Sequence, residues 1–298
     1  MSAARSRDEI AAAFLAACHA ELNALKPGNV HIYAPGHRMQ VADFERAAAA
    51  AAPFIADPAL GIGQRILKAT EASFAATGVN TNLGIILLCA PLAKAAAETA
   101  IGMGLRRCLA ILLSKLDYQD ADDAFHAIRL ANPAGLGTVD KGDVSTDAGP
   151  AAPRFTLIEA MDLAKERDRI ANAYVTAYSD VFDFALPVLH AALATGERAD
   201  LAVTTLHMAL MAEFADSHIQ RKWGQDQAMA VRDEAARLKP LWHPIVASNA
   251  FDDLLKFDAS LKERGLNPGT TADFVVATLF TDLLSRGPGS GSPSDHPT

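Results

Sequence analysis

Apolar residues recur at helical spacing along most of this chain, and no stretch alternates convincingly with the period of two that a half-buried strand needs. Many of the helical positions hold alanine, the strongest helix former because it loses no side-chain entropy on ordering. The helical pattern covers residues 9–25, 41–55, 63–77, 83–102, 105–116 and 120–130. We therefore predict an all-α protein in which residues 1–286 form a single large domain of about ten or more helices.

Local signals mark two helix starts. Ser6 with Glu9, and Thr156 with Glu159, have the spacing of a capping box, in which a hydroxyl and a carboxylate satisfy backbone amides at the helix start. The first residues therefore begin a helix, and they lack the apolar core of a signal peptide.

Charge and hydropathy exclude several classes of protein. The formal net charge is −8, which argues against the clustered basic surface that nucleic-acid binding needs. The longest apolar stretch, residues 83–93, is about half the length of a membrane span, which requires roughly 20 residues. We expect a soluble cytoplasmic protein with no nucleic-acid or membrane partner.

Cysteine spacing and local composition add three expectations. Cys18, Cys89 and Cys108 lie in apolar helical surroundings without a CxxC pair, so we interpret them as core residues. Residues 131–155 are rich in Gly, Pro and Asp, which is typical of a functional or disordered loop. Residues 287–298 have the composition of a disordered C-terminal tail.

Four polar segments interrupt or flank the helices: KPGNVH (26–31), TGVNTNLG (77–84), ANPAGLG (131–137) and NPGTTAD (267–273). Small residues in such segments let the backbone approach a ligand, and a following helix start favours anions. The alternative is ordinary connector chemistry, because Gly, Pro, Asn and Thr are also turn and cap residues.

The pattern after Thr156 predicts one long helix kinked near Pro187, and residues 200–223 predict another that runs through the interior. Polar residues share one stripe of this second helix: Glu213, Asp216, Ser217 and Gln220. Buried carboxylates need a partner, either Arg221 or a magnesium ion that bridges to phosphates. A solvated helix end is the remaining interpretation.

Other motifs are weaker or absent. Glu71 follows Arg65 on the helix that leads into TGVNTNLG, and Asp168 and Asn172 lie one turn apart, so each pair is either functional or a surface feature. The histidine spacing does not indicate a zinc site. The sequence contains no Walker A, GxSxG or Rossmann fingerprint.

Taken in order, the segments ELNALKPGNVH, ATGVNTNLG, ANPAGLG, ADSHIQRKWG and NPGTTAD resemble the signature segments of the triphosphoribosyl-dephospho-coenzyme A synthase family, over about residues 10–285. The resemblance implies an all-helical transferase. In this family the 2′-hydroxyl of dephospho-coenzyme A displaces adenine from the ribose of ATP and leaves the triphosphate attached. The product is a prosthetic-group precursor for the acyl carrier subunits of citrate lyase or malonate decarboxylase.

The resemblance also implies site residues. Lys26, Gly28 and Asn29 would hold phosphate, with His31 near the ribose or the leaving base. Glu71 and Asp216 are the candidates for catalysis and for binding Mg²⁺, the expected cofactor. The remaining nucleotide-binding candidates are Arg65, Thr77, Asn80, Thr81, Asn82, Asp168, Ser217, Arg221, Gly269, Thr270, Thr271 and Asp273.

The chain departs from the family pattern at two places. Typical members read Asn-Thr-His-Lys-Gly where this chain has Asn80 to Gly84, so Asn82 and Leu83 stand at the His and Lys positions. Typical members also read Asp-Thr-Asn where this chain has Asp216, Ser217 and His218. In this respect the chain resembles a branch from archaea and methylotrophic bacteria, which implies a role in making one-carbon cofactors such as tetrahydromethanopterin or methanofuran. The alternatives are therefore an ATP-dependent kinase or ligase on such a precursor, and a non-catalytic helical protein that binds a nucleotide or cofactor. The expected partners are ATP and a small-molecule cofactor precursor, and the oligomeric state stays open, with a homo-oligomer among the options.

Overall fold

The structure is a computed structural model, and it describes residues 4–36, 39–100, 102–132, 155–196, 198–244, 246–247 and 249–286. These residues form fifteen α-helices and no sheet, which confirms the all-α prediction. The helices are α1 (Arg7–Leu22), α2 (Val41–Ile55), α3 (Ile62–Thr77), α4 (Leu83–Glu98), α5 (Leu105–Leu113), α6 (Tyr118–Ala131), α7 (Leu157–Ala164), α8 (Arg169–Val175), α9 (Leu186–Leu193), α10 (Ala199–Glu213), α11 (Ser217–Trp223), α12 (Gln225–Arg237), α13 (Lys239–Trp242), α14 (Phe251–Glu263) and α15 (Gly269–Ser285). The six helices predicted before residue 131 are all present.

Both predicted capping boxes are confirmed. The Ser6 hydroxyl accepts a hydrogen bond from the Glu9 amide, while the Glu9 carboxylate accepts one from the Ser6 amide at 2.8 Å. Thr156 and Glu159 make the same reciprocal pair, also at 2.8 Å. The two boxes start α1 and α7 because each satisfies amides that have no partner within the helix.

Helix α4 lies at the centre of the main hydrophobic core and is buried along most of its length. It packs against α1, α3, α5 and α15, and α15 is almost as completely buried. Cys18, Cys89 and Cys108 are all buried in this core, which confirms their interpretation as packing residues. Burial raises the pKa of each thiol, so they stay uncharged.

Pro91 lies inside α4 and has no amide hydrogen to donate to the Leu87 carbonyl one turn earlier. The Tyr174 hydroxyl donates to that carbonyl at 2.7 Å, and the Tyr178 hydroxyl donates to the Leu88 carbonyl at 3.0 Å. Both tyrosines are fully buried. They compensate for the proline, because an unpaired carbonyl in the core would be costly.

Two predictions of long helices are wrong. After α7 the chain forms α8, a π-helical segment (Asp180–Ala185) and α9, with residues 165–168 and 176–179 breaking the helix. The long helix predicted over residues 200–223 also breaks, at residues 214–216, and Asp216 begins α11 by accepting hydrogen bonds from the amides of His218 and Ile219. Glu213 ends α10, so the predicted polar stripe does not exist.

A second, smaller core joins α10 to α14 and includes Met208, Trp242 and Leu261. Through these contacts α14 supports the KPGNVH turn and the start of α15. No helix in the described part of the chain has the length and hydropathy that crossing a bilayer demands.

Two expectations fall largely or wholly outside the described residues. They are the functional or disordered loop, of which 133–154 are not described, and the C-terminal tail at 287–298.

Candidate active site

A cavity of about 750 Å³ lies between the helices that carry the polar segments. Its size is within the usual range for a small-molecule site. The candidates from sequence that line it are Asn29, Asn80, Thr81, Asp168, Arg221, Gly269 and Asp273. The cavity also includes residues from the described part of the ANPAGLG segment, Ala131 and Asn132, so all four polar segments meet around one space.

One wall of the cavity is polar and comes from α1, α11, α15 and the turns beside them. It contains His218 and Arg221 of α11, Gly269 and Asp273 of α15, and Glu21 at the end of α1. A second part of the lining, here called the apolar wall, comes mainly from α3, α6 and α7. Its large side chains are Phe74, Phe125, Ile128 and Met161, with Phe44 of α2 and Leu87 of α4 beside them. The cavity can therefore hold a charged group and an apolar group at the same time.

Asp273 is one of three carboxyl groups of described residues that line the cavity, with Glu21 and Asp168. Its side chain lies against Gly84 at the start of α4, so closely that any Cβ atom at Gly84 would overlap the carboxyl oxygens. None of the hydrogen bonds between described residues ends on this carboxyl. Desolvation raises its pKa well above the usual range, and the nearby carboxylates of Asp216 and Glu21 add to the effect. The raised pKa favours the protonated carboxyl, which is the form that can donate a proton.

Cationic groups lie close to Asp273. Arg221 bonds Asp168 at 2.7 Å, and Arg221 lowers the pKa of Asp273 by its charge. Arg167 also lines the cavity and is exposed, and the His218 ring packs against Gly269. Asp168 accepts hydrogen bonds from the amides of residues 170 and 171 with its other oxygen, so its role is to start α8 and hold Arg221.

Helices α4 and α15 both begin at the cavity, and neither N-cap residue caps its helix with its own side chain. In α15, however, the Gly269 amide donates to the Asn267 carbonyl at 2.8 Å and the Thr271 amide donates to Asp216 at 2.7 Å, so α4 offers the more open start. The first amides of such helices favour anions, because they carry the positive end of the helix dipole and lack partners within the helix. The nearby arginine side chains add full positive charge to the same region.

Several predicted residues lie behind the wall, where they shape it. The buried Lys26 ammonium group is paired with the Glu21 carboxylate. It also donates to Asn29 Oδ1 at 3.1 Å. The side-chain amide of Asn29 donates to Asn267 Oδ1 at 2.8 Å, and this bond joins the first and last motifs. Gly28 adopts φ +85°, a conformation that favours glycine, and its amide donates to Asp258 at 2.8 Å.

Asp258 organises the other side of this turn. His31 lies 3.3 Å from the Asp258 carboxylate, and the Lys262 ammonium group donates to the same carboxylate at 2.9 Å. Burial lowers the pKa of His31, so the ring is neutral at pH 7. His31 does not line the cavity, and its contacts indicate that it holds the turn in shape.

Further candidates also have structural contacts. Asp216 Oδ2 accepts from both the amide and the hydroxyl of Thr271, at 2.7 and 2.8 Å, which fastens α11 to α15. Ser217 accepts from the Arg169 amide at 2.9 Å, and Asn82 accepts from the Ser73 hydroxyl at 2.6 Å. Thr270 is buried in the first turn of α15, and Thr77 bonds backbone carbonyls at the end of α3.

The structure does not bring Arg65 and Glu71 to the cavity. Arg65 is fully buried and donates to the carbonyls of Ile55 and Leu60, which ties α3 to the end of α2. Glu71 is exposed on α3. The proposed magnesium pair of Glu71 and Asp216 therefore does not fit, because one is outside the cavity and four donors already engage the other. The described residues contain no group of three metal-ligating side chains.

Sequence reasoning missed five polar residues of the cavity: Glu21, Asn132, Arg167, His218 and Asn267. Glu21 and Asn267 stand inside or beside recognised motifs, so their position was the available signal. It missed the apolar wall entirely, because ordinary core residues of α3, α6 and α7 form it.

The helical fold and this cavity define a class of protein, an all-helical protein with a small-molecule cavity that has both polar and apolar lining. The family model for CitG, described as ATP:dephospho-CoA triphosphoribosyl transferase, matches residues 7–292. The chain belongs to this transferase family.

Individual relatives agree with this assignment. A 2-(5''-triphosphoribosyl)-3'-dephosphocoenzyme-A synthase from Pectobacterium atrosepticum is 30% identical over 138 residues, which is 46% of this chain and 42% of that protein. A similarly named protein of Pectobacterium carotovorum is 28% identical over a stretch with the same coverage. The matched stretch thus spans less than half of either relative.

A solved structure from Archaeoglobus fulgidus, described as a candidate triphosphoribosyl-dephospho-CoA synthase, shares the fold with a TM-score of 0.62. The aligned region covers 80% of this chain and 97% of the Archaeoglobus chain, at 24% sequence identity.

Proposed function

We propose that this protein transfers the 5-triphosphoribosyl group of ATP to the 2′-hydroxyl of 3′-dephospho-CoA and releases adenine. The observation that carries the proposal is the cavity, which joins the separate motifs and combines arginine side chains, the start of α4 and a carboxyl group with a raised pKa, that of Asp273. The family description and the names of the Pectobacterium relatives support the same reaction. Because the reaction uses ATP and a coenzyme A precursor, we place it in the cytoplasm.

The triphosphate would lie at the polar wall. Arg221 and Arg167 offer guanidinium groups, which suit phosphate oxygens because their donors are planar and always charged. The start of α4 offers backbone amides beside them. This set of donors compensates for the His and Lys that typical family members have at the positions of Asn82 and Leu83.

The purine would lie near Asp273. Adenine is a poor leaving group unless it is protonated, and the raised pKa of Asp273 favours the protonated carboxyl that such a step needs. As the bond between the ribose C1′ and adenine N9 breaks, Asp273 would donate that proton to the ring. General acid help of this kind contributes about 10² to 10⁴ in rate.

The acceptor would use the apolar wall. Phe74, Phe125 and Met161 form a surface that a phosphate cannot occupy favourably. The uncharged arm of 3′-dephospho-CoA suits that surface, because burying apolar area contributes about 25 cal/mol per Å². The acceptor hydroxyl would then approach the ribose from the side opposite the purine.

We propose that Mg²⁺ enters as the counter-ion of ATP, held by the triphosphate. The residues predicted to bind it, Glu71 and Asp216, do not suit that role for the reasons given above. The cation would neutralise charge on the triphosphate, and we assign no protein ligand to it.

Product analysis tests the proposal. The protein is incubated with ATP, Mg²⁺ and 3′-dephospho-CoA, and the nucleotides and bases are separated. Free adenine in a one-to-one ratio with a triphosphoribosylated acceptor is the expected result. ADP or AMP formation with a phosphorylated acceptor would replace the proposal with a kinase or ligase, and bound but unchanged ATP would indicate a binding protein.

A further inference from the structure

Glu21 ends α1 with its side chain at the cavity, although the residue is only 4% exposed. Its carboxylate is paired with the Lys26 ammonium group, which is completely buried behind the wall. Lys26 therefore holds the Glu21 side chain from the protein side, and the cavity side of the carboxylate faces the space that a substrate would fill.

The contacts of Lys26 restrict its own role. It donates to Asn29 Oδ1 at 3.1 Å as well as to Glu21, and Asn29 is in turn fastened to Asn267 at 2.8 Å. Both asparagines line the cavity, whereas Lys26 does not. The lysine acts through Glu21, because its ammonium group has no surface on the cavity.

Two carboxyl groups in the cavity have contrasting environments. Glu21 makes an ion pair with Lys26, whereas the ion pairs between described residues include none at Asp273, and the carboxylates of Asp216 and Glu21 raise its pKa further after desolvation. Burial raises the pKa of Glu21, and the charge of Lys26 opposes that shift and favours the ionised form. Paired groups with such different surroundings are typical of a base and an acid that act in the same reaction.

The third carboxylate of the cavity among the described residues, Asp168, is not available for this chemistry. One of its oxygens accepts from the first amides of α8, and the other bonds Arg221.

We propose that Glu21 is the general base that removes the proton from the acceptor hydroxyl, an assignment that rests on the proposed triphosphoribosyl transfer. The hydroxyl oxygen forms the new bond to the ribose C1′, and its proton moves to the Glu21 carboxylate. The C1′–N9 bond breaks, its electron pair goes to adenine, and adenine takes the proton of Asp273. Each turnover leaves Glu21 protonated and Asp273 ionised, and exchange with solvent restores both.

The first experiment compares Glu21→Gln with wild type by following adenine release and ATP binding. The expected result is a fall in kcat of about 10² to 10⁴ with ATP affinity changed by less than about threefold. The variant should also lose the decrease in kcat/KM that wild type shows at acidic pH as Glu21 becomes protonated. Glu263→Gln, an exposed carboxylate on α14, is the matched control and should behave as wild type.

Glu21→Gln leaves Lys26 buried without a counter-charge, which can destabilise the fold. The double variant Glu21→Gln/Lys26→Gln removes both charges and keeps two amides that can bond each other. It should fold, bind ATP and show the same low kcat as the single variant. If either folded variant keeps the wild-type kcat, Glu21 is not the base.

The pH profile of wild type supplies a further measurement that needs no variant. A kcat/KM for adenine release that stays constant down to pH 4 would overturn the assignment. Failure of the proposed function gives a different result, because wild type itself would then release no adenine in the presence of the acceptor.

Discussion

The carboxyl group of Asp273 occupies the space directly above Gly84, where any larger residue would have a side chain. The first turn of α4 and the second turn of α15 meet at this contact. The glycine is required by the close approach and not by its backbone angles, since it lies inside a regular helix. The contact determines how far the acid can extend into the cavity.

Gly84→Ala should therefore displace the Asp273 carboxyl and lower kcat for adenine release by at least about tenfold, because geometric misplacement of about 1 Å has effects of that size or larger. Gly104→Ala is the matched control. Gly104 precedes α5 with φ −72°, and no atom lies within 4 Å of the added Cβ. Wild-type turnover in Gly84→Ala, measured beside Gly104→Ala, would contradict the assigned contact.

Asp273→Asn should lower kcat by about 10² to 10⁴ and stabilise the fold. The folded-state pKa of Asp273 is raised, so the folded protein binds more protons than the unfolded chain above the ordinary pKa of a carboxyl. Asp273 therefore costs stability as pH rises through that window, and asparagine removes the cost. Thermal melts from pH 4 to 8 should show a gain in Tm for the variant that increases with pH. If the difference in Tm between the variant and wild type is the same at pH 4 and pH 8, Asp273 is not desolvated.

Arg221→Ala should weaken ATP binding by about tenfold or more, because a hydrogen bond to a charged group contributes about 1.5–3 kcal/mol. It should also weaken the salt dependence of binding. Arg106→Ala, which removes a surface ion pair with Asp183, should bind ATP as wild type does. Titration calorimetry at two salt concentrations measures both effects, and equal affinities for the two variants would place the triphosphate elsewhere.

Phe125→Ala should raise the KM for 3′-dephospho-CoA by about tenfold without changing ATP affinity. The substitution removes apolar contact area from the wall that the acceptor would use and leaves the polar wall, where the triphosphate would lie, unchanged. Steady-state kinetics with each substrate varied in turn distinguishes the two effects. A selective loss of ATP affinity would instead place the purine on the apolar wall.

The helices that sequence predicted well are those with local signals. The bounds of α2 follow from its period alone, and the capping boxes at Ser6 and Thr156 each need only four consecutive residues. The break before α11 could not be predicted in this way, because Phe214 and Ala215 continue the apolar pattern. It depends on Asp216, whose second oxygen bonds Thr271, 55 residues later in the chain.

The site shows the same division. Motif order predicted that the KPGNVH and NPGTTAD segments belong together, and Asn29 bonds Asn267. Polar composition could not distinguish residues that face the cavity from those behind its wall. Lys26 is an example, since its partner Glu21 stands five residues earlier, which is not a spacing that places two side chains on one helix face. Glu71 is a carboxylate near a motif, but the direction in which its side chain leaves α3 depends on tertiary packing.

A crystal structure with a non-hydrolysable ATP analogue tests the central claim most directly. The account predicts the triphosphate at Arg221 and the first turn of α4, the purine within hydrogen-bonding distance of Asp273, and the apolar wall left free for the acceptor. A nucleotide bound outside this cavity, or one with its triphosphate against Phe74 and Phe125, would contradict it.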